Sequence, residues 1–234
     1  MFRTFVLSHI ILIVVIVGSF ILWLIVNHSW PGFFDPFQYW CLTDSLATAV
    51  AQSWPFYVYG LITTIIILKR AEDSRVFVYI DNTVSFKDIY RSVMAGILEE
   101  IGFRCIFIFT SMIPIALLEL AFPGLIMWQY KNIFFPFTDI TTLRLMHNTI
   151  YGHPAIFMAG ALSANTAFRN GHKYQGASGV FNAWFAGLYL LQIMLTKGLV
   201  VAILAHMVYD LTINFTRYFY NHVGGKTKLR FLER

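Results

Sequence analysis

Long apolar runs separated by short polar stretches are the dominant pattern along this chain. A transmembrane α-helix needs about 20 apolar residues to cross the roughly 30 Å of a bilayer's hydrocarbon core. Runs of that length predict helices over about residues 5–27, 46–68, 88–110, 150–170, 177–195 and 198–220. The pattern therefore predicts an all-α fold, a polytopic transmembrane helical bundle.

The segment over residues 111–149 departs from this pattern. Its apolar runs are interrupted by Pro114, Pro123, Gly124, Lys131 and Pro136. Because proline removes a backbone hydrogen bond inside a helix and clashes with the preceding turn, we expect either a re-entrant element or two short crossings here. The chain is thus predicted to have six to eight membrane helices.

Composition also indicates an integral membrane protein. Of the 234 residues, 58% are hydrophobic and 12% are charged, whereas about 25% are charged in an average soluble domain. No stretch is long enough for a separate soluble domain, so we expect residues 1–234 to form one integral membrane domain. The formal charge of +5 comes from basic residues at segment ends and in the tail, which membrane topology explains. We find no nucleic-acid signal.

The basic residues predict the orientation of the chain in the membrane. They concentrate in the connection Lys69–Arg75 and in the tail over residues 226–234, whereas the loop Asn27–Ser45 has none. Loops rich in Lys and Arg face the cytoplasm, so both termini are predicted to be cytoplasmic, which requires an even number of crossings. The short chain without a soluble appendage favours a bacterial cytoplasmic (inner) membrane.

Ionisable side chains inside apolar runs are the strongest sign of a functional site, because each costs roughly 2.5–3.5 kcal/mol in the membrane. Three polar groups lie on different predicted helices: Glu99, Glu100 and Arg104; Phe168 and His172; and His206 and Asp210. Within each group, residues four apart lie on the same helix face. Glu99 is rotated by about 100° from Glu100, so one acid can face a central cavity while its neighbour pairs with Arg104.

These groups resemble the motifs of the CPBP intramembrane endopeptidases (the CAAX-protease and bacteriocin-processing, or Abi, family). The family pattern is EExxxR, then FxxxH, then HxxxN or HxxxD. This chain has Glu99-Glu100-Ile101-Gly102-Phe103-Arg104, Phe168-Arg169-Asn170-Gly171-His172 and His206-Met207-Val208-Tyr209-Asp210, in that order. The resemblance covers about residues 88–215 and implies a four-helix catalytic core there.

The resemblance implies hydrolysis of a peptide bond within or beside the membrane. It implies Glu99 as the general base for a water, His172 as a group that holds this water, Glu100 and Arg104 as a supporting pair, and His206 and Asp210 as groups that face the oxyanion. Only this resemblance separates Glu99 from Glu100 as the base. The implied substrate is a membrane-associated or lipidated peptide or protein, such as a prenylated C-terminus, a peptide precursor or a protein-sorting tail.

One departure from the family pattern bears on the mechanism. Many members have Asn where this chain has Asp210, and an ionised Asp cannot donate a hydrogen bond to an oxyanion. Asp210 is therefore protonated, or it orients His206, or it helps to bind a metal. Zinc accepts His and carboxylate ligands, so Glu99, His172, His206 and Asp210 are candidate ligands, although the chain has no HExxH motif. Whether a metal is required stays open.

Two other classes of function could use the same residues. A small proton-coupled transporter would use the acids as a proton relay, although the inverted repeat typical of transporters is not apparent in the sequence. A non-catalytic membrane immunity or binding protein could keep the same fold. A Glu99→Gln variant that retains its full biological effect would favour this last class.

Overall fold

The computed structural model describes residues 44–73 and 86–223, together with Ile21 and Leu42. The predicted helix over residues 5–27, apart from Ile21, and the basic tail over residues 226–234 lie outside the described residues. The regular structure of the described residues is helical throughout, which confirms the all-α fold.

The helices follow one another with short connections. In chain order they are α1 (Leu46–Gln52), α2 (Trp54–Asp73), α3 (Phe86–Glu100), a π-helical segment (Ile101–Phe107), α4 (Ile108–Ala121), α5 (Leu125–Gln129), a second π-helical segment (Tyr130–Phe134), α6 (Phe135–Thr141), α7 (His147–Tyr151), α8 (Ala155–Gly171), a 3-10 turn (Lys173–Gln175), α9 (Gly176–Lys197) and α10 (Leu199–Val223).

Three helical stretches of the described chain are long and apolar enough to cross a membrane: Phe86–Ala121, Lys173–Lys197 and Leu199–Tyr220. A fourth exists if α1 and α2, which are bent by 42° relative to each other, form one span. Several long apolar helices indicate a multi-pass membrane protein. The described residues thus contain three or four candidate spans, fewer than the six to eight predicted for the whole chain.

Two predicted helices differ from those observed. The run over residues 46–68 is broken at Ser53, whose hydroxyl donates to the Ala49 carbonyl at 3.0 Å. The run over residues 150–170 becomes α8, which has 17 residues and starts only after Pro154. A helix readily begins just after a proline, because the missing N–H is one that the first turn leaves unpaired anyway.

The interruption predicted over residues 111–149 begins later than the sequence indicates. Helix α4 continues through Pro114 to Ala121, because a membrane-type helix tolerates the single backbone hydrogen bond that proline removes. The chain first turns at Gly124, which has a φ of 84°. A second turn, with φ of 51° at Leu143 and 63° at Arg144, separates α6 from α7. Whether this part is re-entrant or crosses the membrane twice stays a prediction.

Close helix crossings at small residues fix the packing of the bundle. A Cβ added at Gly96 of α3 would lie 2.7 Å from Met207 Cγ of α10. A Cβ added at Gly160 of α8 would lie 2.6 Å from Met112 Cγ of α4. Glycine lets the two backbones approach, which is how membrane helices gain packing contacts. The α3–α4 helix is therefore held between α10 on one side and α8 on the other.

Aromatic stacking attaches α2 to α9 and α10, the last two helices of the described residues. The ring of Phe56 stacks on Tyr209 of α10 with a centroid distance of 4.2 Å, and on Tyr189 of α9 at 5.0 Å. The Tyr209 hydroxyl donates to Asn182 Oδ1 at 3.0 Å. These contacts therefore hold α2, α9 and α10 together.

Candidate functional site

The predicted pair of Glu100 and Arg104 is present and fully buried. Arg104 Nε donates to Glu100 Oε2 at 3.1 Å, and neither side chain has any exposed surface. Arg104 Nη2 donates to the Gly187 carbonyl of α9 at 2.8 Å, and the guanidinium lies 5.5 Å from the ring centre of Phe168. Arg104 itself is in the π-helical segment, a local geometry that is frequent at functional sites.

His206 of α10 binds the other oxygen of the same carboxylate. Its Nδ1 lies 2.9 Å from Glu100 Oε1. An ionised carboxylate can only accept, so Nδ1–H is the donor and Nε2 is left for other partners. Nε2 lies 4.0 Å from Glu99 Oε2 and 3.9 Å from Asp210 Oδ1. The predicted proximity of His206 and Asp210 is correct, but the ring is oriented by Glu100 instead.

The two adjacent acids have different surroundings, as their rotation about the helix predicts. The Glu100 side chain is completely buried against Arg104 and His206, whereas 32% of the Glu99 side chain is exposed. Glu99 lines the cavity and Glu100 does not. The structure thus distinguishes two residues that the sequence alone leaves equivalent, because burial depends on which helix packs against each face.

His172 caps the C-terminus of α8. Its Nδ1 lies 2.8 Å from the carbonyl of Phe168, and a carbonyl can only accept, so Nε2 is left for other partners. The FxxxH spacing therefore reflects a bond to the Phe168 backbone, and the two rings also contact each other, with centroids 4.6 Å apart. His172 lines the same cavity as Glu99.

The cavity has a volume of about 600 Å³ and is lined by residues from α2, α3, α9, α10 and the connection after α8. We call one part of it the acidic end, formed by Glu99, His172, His206 and Asp210. We call the other part the arginine end, formed by Asp88, Arg91, Ser92, Asn214 and Arg217. At least one residue of each of the three motifs, from distant parts of the chain, therefore lines the same cavity.

The sequence reasoning missed the arginine end. On α3 its residues precede Glu99 by whole turns, since Ser92 and Glu99 are seven residues apart. On α10, Arg217 follows Asp210 by the same interval. Seven residues are close to two turns of an α-helix, so extending the helical period of the motifs toward the helix ends could have found them.

The geometry of the described residues gives no support for a preformed metal site. Among them, no three His, Cys, Asp or Glu side chains are grouped closely enough to hold a metal ion. Glu99, His206 and Asp210 have ligand types that zinc accepts, and zinc binding stays a prediction.

A further contact between two polar side chains, also missed from the sequence, lies away from the cavity. His147 Nδ1 of α7 is 3.1 Å from Asp139 Oδ2 of α6, across the turn at Leu143 and Arg144. Burial and, to a lesser extent, the Asp139 carboxylate raise the pKa of the neighbouring Tyr151 hydroxyl. This contact holds the α6–α7 turn and contributes nothing to the cavity.

Comparison of the chain with protein-family models, with curated proteins and with solved structures gives no match.

Proposed function

We propose that this protein is an intramembrane endopeptidase, similar to the CPBP family, in which Glu99 activates a water to hydrolyse a peptide bond. One observation carries the proposal. Glu99 is partly exposed on a cavity that it shares with His172 and His206, while Glu100 and Arg104 are buried behind it. A base that must meet both water and substrate needs such exposure, whereas a purely structural ion pair does not.

The proposed chemistry follows from the atoms left unpaired at the acidic end. The Glu99 carboxylate takes a proton from a water, and the water oxygen forms a bond to the carbonyl carbon of the substrate. His172 Nε2 holds this water. The C–N bond then breaks, and Glu99 gives the proton to the leaving amine, so that a carboxylic acid and an amine are released.

His206 is proposed to stabilise the negative charge that develops on the carbonyl oxygen. Its Nδ1–H is engaged by Glu100 at 2.9 Å, so only a doubly protonated ring can also donate through Nε2. The side chains of three acidic residues, Glu99, Glu100 and Asp210, lie within 4.0 Å of the ring and provide the partners that a doubly protonated imidazole needs. A donor aimed at an oxyanion is worth about 10²–10³ in rate.

The positive-inside pattern also orients the proposed enzyme. If the termini are cytoplasmic, α3 starts and α10 ends on the cytoplasmic side. Contacts of Ser92 with Asn214 and of Glu100 with His206 agree with antiparallel packing of α3 and α10. The arginine end is then nearer to the cytoplasm than the acidic end, and a membrane-associated peptide enters from that side.

The test is cleavage by purified protein of a panel of quenched lipidated and transmembrane peptides, with wild type beside Glu99→Gln. Glu119→Gln is the matched control, because Glu119 caps the Gly124 and Met127 amides outside the cavity. We expect Glu99→Gln to lower cleavage by at least 10²-fold, a typical contribution of general-base catalysis, and Glu119→Gln to retain it. Equal cleavage by wild type and Glu99→Gln would refute the assignment of the base.

A chelator arm and a proton-flux arm complete the test. Loss of cleavage on chelation with rescue by zinc would make the protein a metalloprotease. Proton flux across vesicles that depends on Glu99, without cleavage of any peptide, would favour a transporter.

A further inference from the structure

We propose that the arginine end of the cavity binds a carboxylate on the substrate, through Arg91 and Arg217, and thereby selects which peptides are cleaved. As a statement about which substrates are selected, this inference rests on the proposed function. Its physical basis, an anion-binding end of a cavity, can be tested without any cleavage.

The first argument is position. Arg91 and Glu99 are eight residues apart on α3, which is about 12 Å along the helix axis, and both line the cavity. Asn214 Nδ2 of α10 donates to Ser92 Oγ of α3 at 3.1 Å. Because the two helices are antiparallel, this contact brings Arg217 to the same level as Arg91.

The second argument is charge. The acidic end carries the carboxylates of Glu99 and Asp210, with three acids in all against Arg104 and His206 once Glu100 behind them is counted, whereas the arginine end has two arginines and one acid, Asp88. The cavity is therefore negative where the proposed chemistry occurs and positive at the other end. An extended substrate with a carboxylate would align with its charged group at the arginine end, away from the acids.

The third argument is that the arginines are available. The ion pair of Arg91 with Asp88 is loose, with 3.9 Å between Nη1 and Oδ1, and 65% of the Arg91 side chain is exposed. Among the side chains that the structure describes, over residues 44–69 and 86–220, Arg217 has no hydrogen bond or ion pair. Guanidinium groups bind carboxylates through two parallel N–H bonds, so an incoming carboxylate gains a partner without breaking a strong one.

The spacing defines the substrate more closely. An extended peptide advances about 3.3 Å per residue, so about 12 Å corresponds to three or four residues. The preferred substrate carries a carboxylate three or four residues from the cleaved bond. This group is either an Asp or Glu side chain or the free C-terminus of the peptide, and the chemistry of recognition is the same.

The experiment measures binding and cleavage separately. Fluorescent peptides are titrated onto the Glu99→Gln protein, with and without Arg217→Gln. Each acidic peptide has a twin in which Glu is replaced by Gln, and each free C-terminus has an amidated twin. We expect acidic peptides to bind about tenfold more tightly than their twins, the effect of one charged hydrogen bond, and Arg217→Gln to remove this preference. Lys131→Gln is the control for loss of a positive charge away from the cavity.

Charge reversal gives a result that a merely structural role would not produce. Arg217→Glu should invert the preference, so that a Lys-bearing twin binds better than the Glu-bearing one. The ratio of kcat/KM for acidic and neutral twins is measured in parallel on the protein with Glu99 intact. Tighter binding of acidic peptides without cleavage of any peptide would support the arginine end as a carboxylate site and contradict the proposed hydrolysis. Cleavage of acidic and neutral twins at equal rates, with equal binding, would support hydrolysis and contradict the carboxylate site.

Two outcomes overturn the inference. One is equal binding of acidic and neutral twins to the Glu99→Gln protein. The other is a preference for acidic peptides that Arg217→Gln leaves intact, which would place the source of the preference outside the arginine end.

Discussion

His206 Nδ1 lies 2.9 Å from Glu100 Oε1 and joins α10 to α3 at the buried edge of the cavity. The second oxygen of the same carboxylate accepts from Arg104 at 3.1 Å. One buried acid therefore fixes the imidazole and the guanidinium together, and it directs His206 Nε2 toward Glu99 and Asp210. The precision of the acidic end depends on a residue that does not line the cavity.

Removing Arg104 should destabilise the protein strongly. In Arg104→Met the Glu100 carboxylate stays buried with only His206 as partner, and breaking a buried pair from one side costs about 3–5 kcal/mol. Chemical unfolding in detergent measures the loss. The double variant Glu100→Gln with Arg104→Met should recover part of it, and a single variant as stable as wild type would contradict the pairing.

Gly187 is expected to tolerate no side chain. A Cβ there would lie 2.1 Å from Asn165 Oδ1 and 3.0 Å from Phe168 Cδ1, next to the carbonyl that Arg104 binds. Gly187→Ala should lower the unfolding free energy by about 1–3 kcal/mol. Gly102→Ala is the matched control, since a Cβ there meets nothing within 4 Å. Equal stability of the two variants would disprove the close approach.

The role of residue 210 can be decided by two substitutions. Because Asp210 Oδ1 lies 3.9 Å from His206 Nε2, beyond hydrogen-bond distance, it does not orient the ring. If it acts as an oxyanion donor, Asp210→Asn keeps a donor and retains cleavage, whereas Asp210→Ala lowers kcat by about 10². Steady-state cleavage kinetics measure both. Suppose that Asp210→Asn is inactive, and that added zinc restores cleavage to chelator-treated wild type but not to Asp210→Asn. This result would instead favour residue 210 as a metal ligand.

Tyr209 should contribute to stability mainly through its ring. Tyr209→Phe keeps the stack on Phe56 and loses the hydrogen bond to Asn182, a cost of about 1 kcal/mol. Tyr209→Ala removes a buried ring and should cost about 3–5 kcal/mol. Thermal unfolding of both variants in the same detergent tests this order. A larger effect of the Phe variant would show that the hydroxyl matters more than the packing.

The parts of the protein that depend on local periodicity were predictable from the sequence. The long apolar runs predict an all-α membrane bundle, and the spacing of Glu100 and Arg104 predicts their pairing, because residues four apart meet on any α-helix. The different surroundings of Glu99 and Glu100 follow from the rotation of about 100° between neighbouring residues of an α-helix. What the rotation does not say is which of the two acids faces the cavity.

Tertiary packing decided the rest, since each of these features depends on contacts between residues distant in sequence. The exposure of Glu99 beside the fully buried Glu100 depends on which helices pack against each face of α3. The partner of His206 is Glu100, 106 positions away, rather than Asp210 on its own helix. A periodic pattern specifies which side chains share a face, but only the packing of one helix on another decides which face is buried and which meets the cavity.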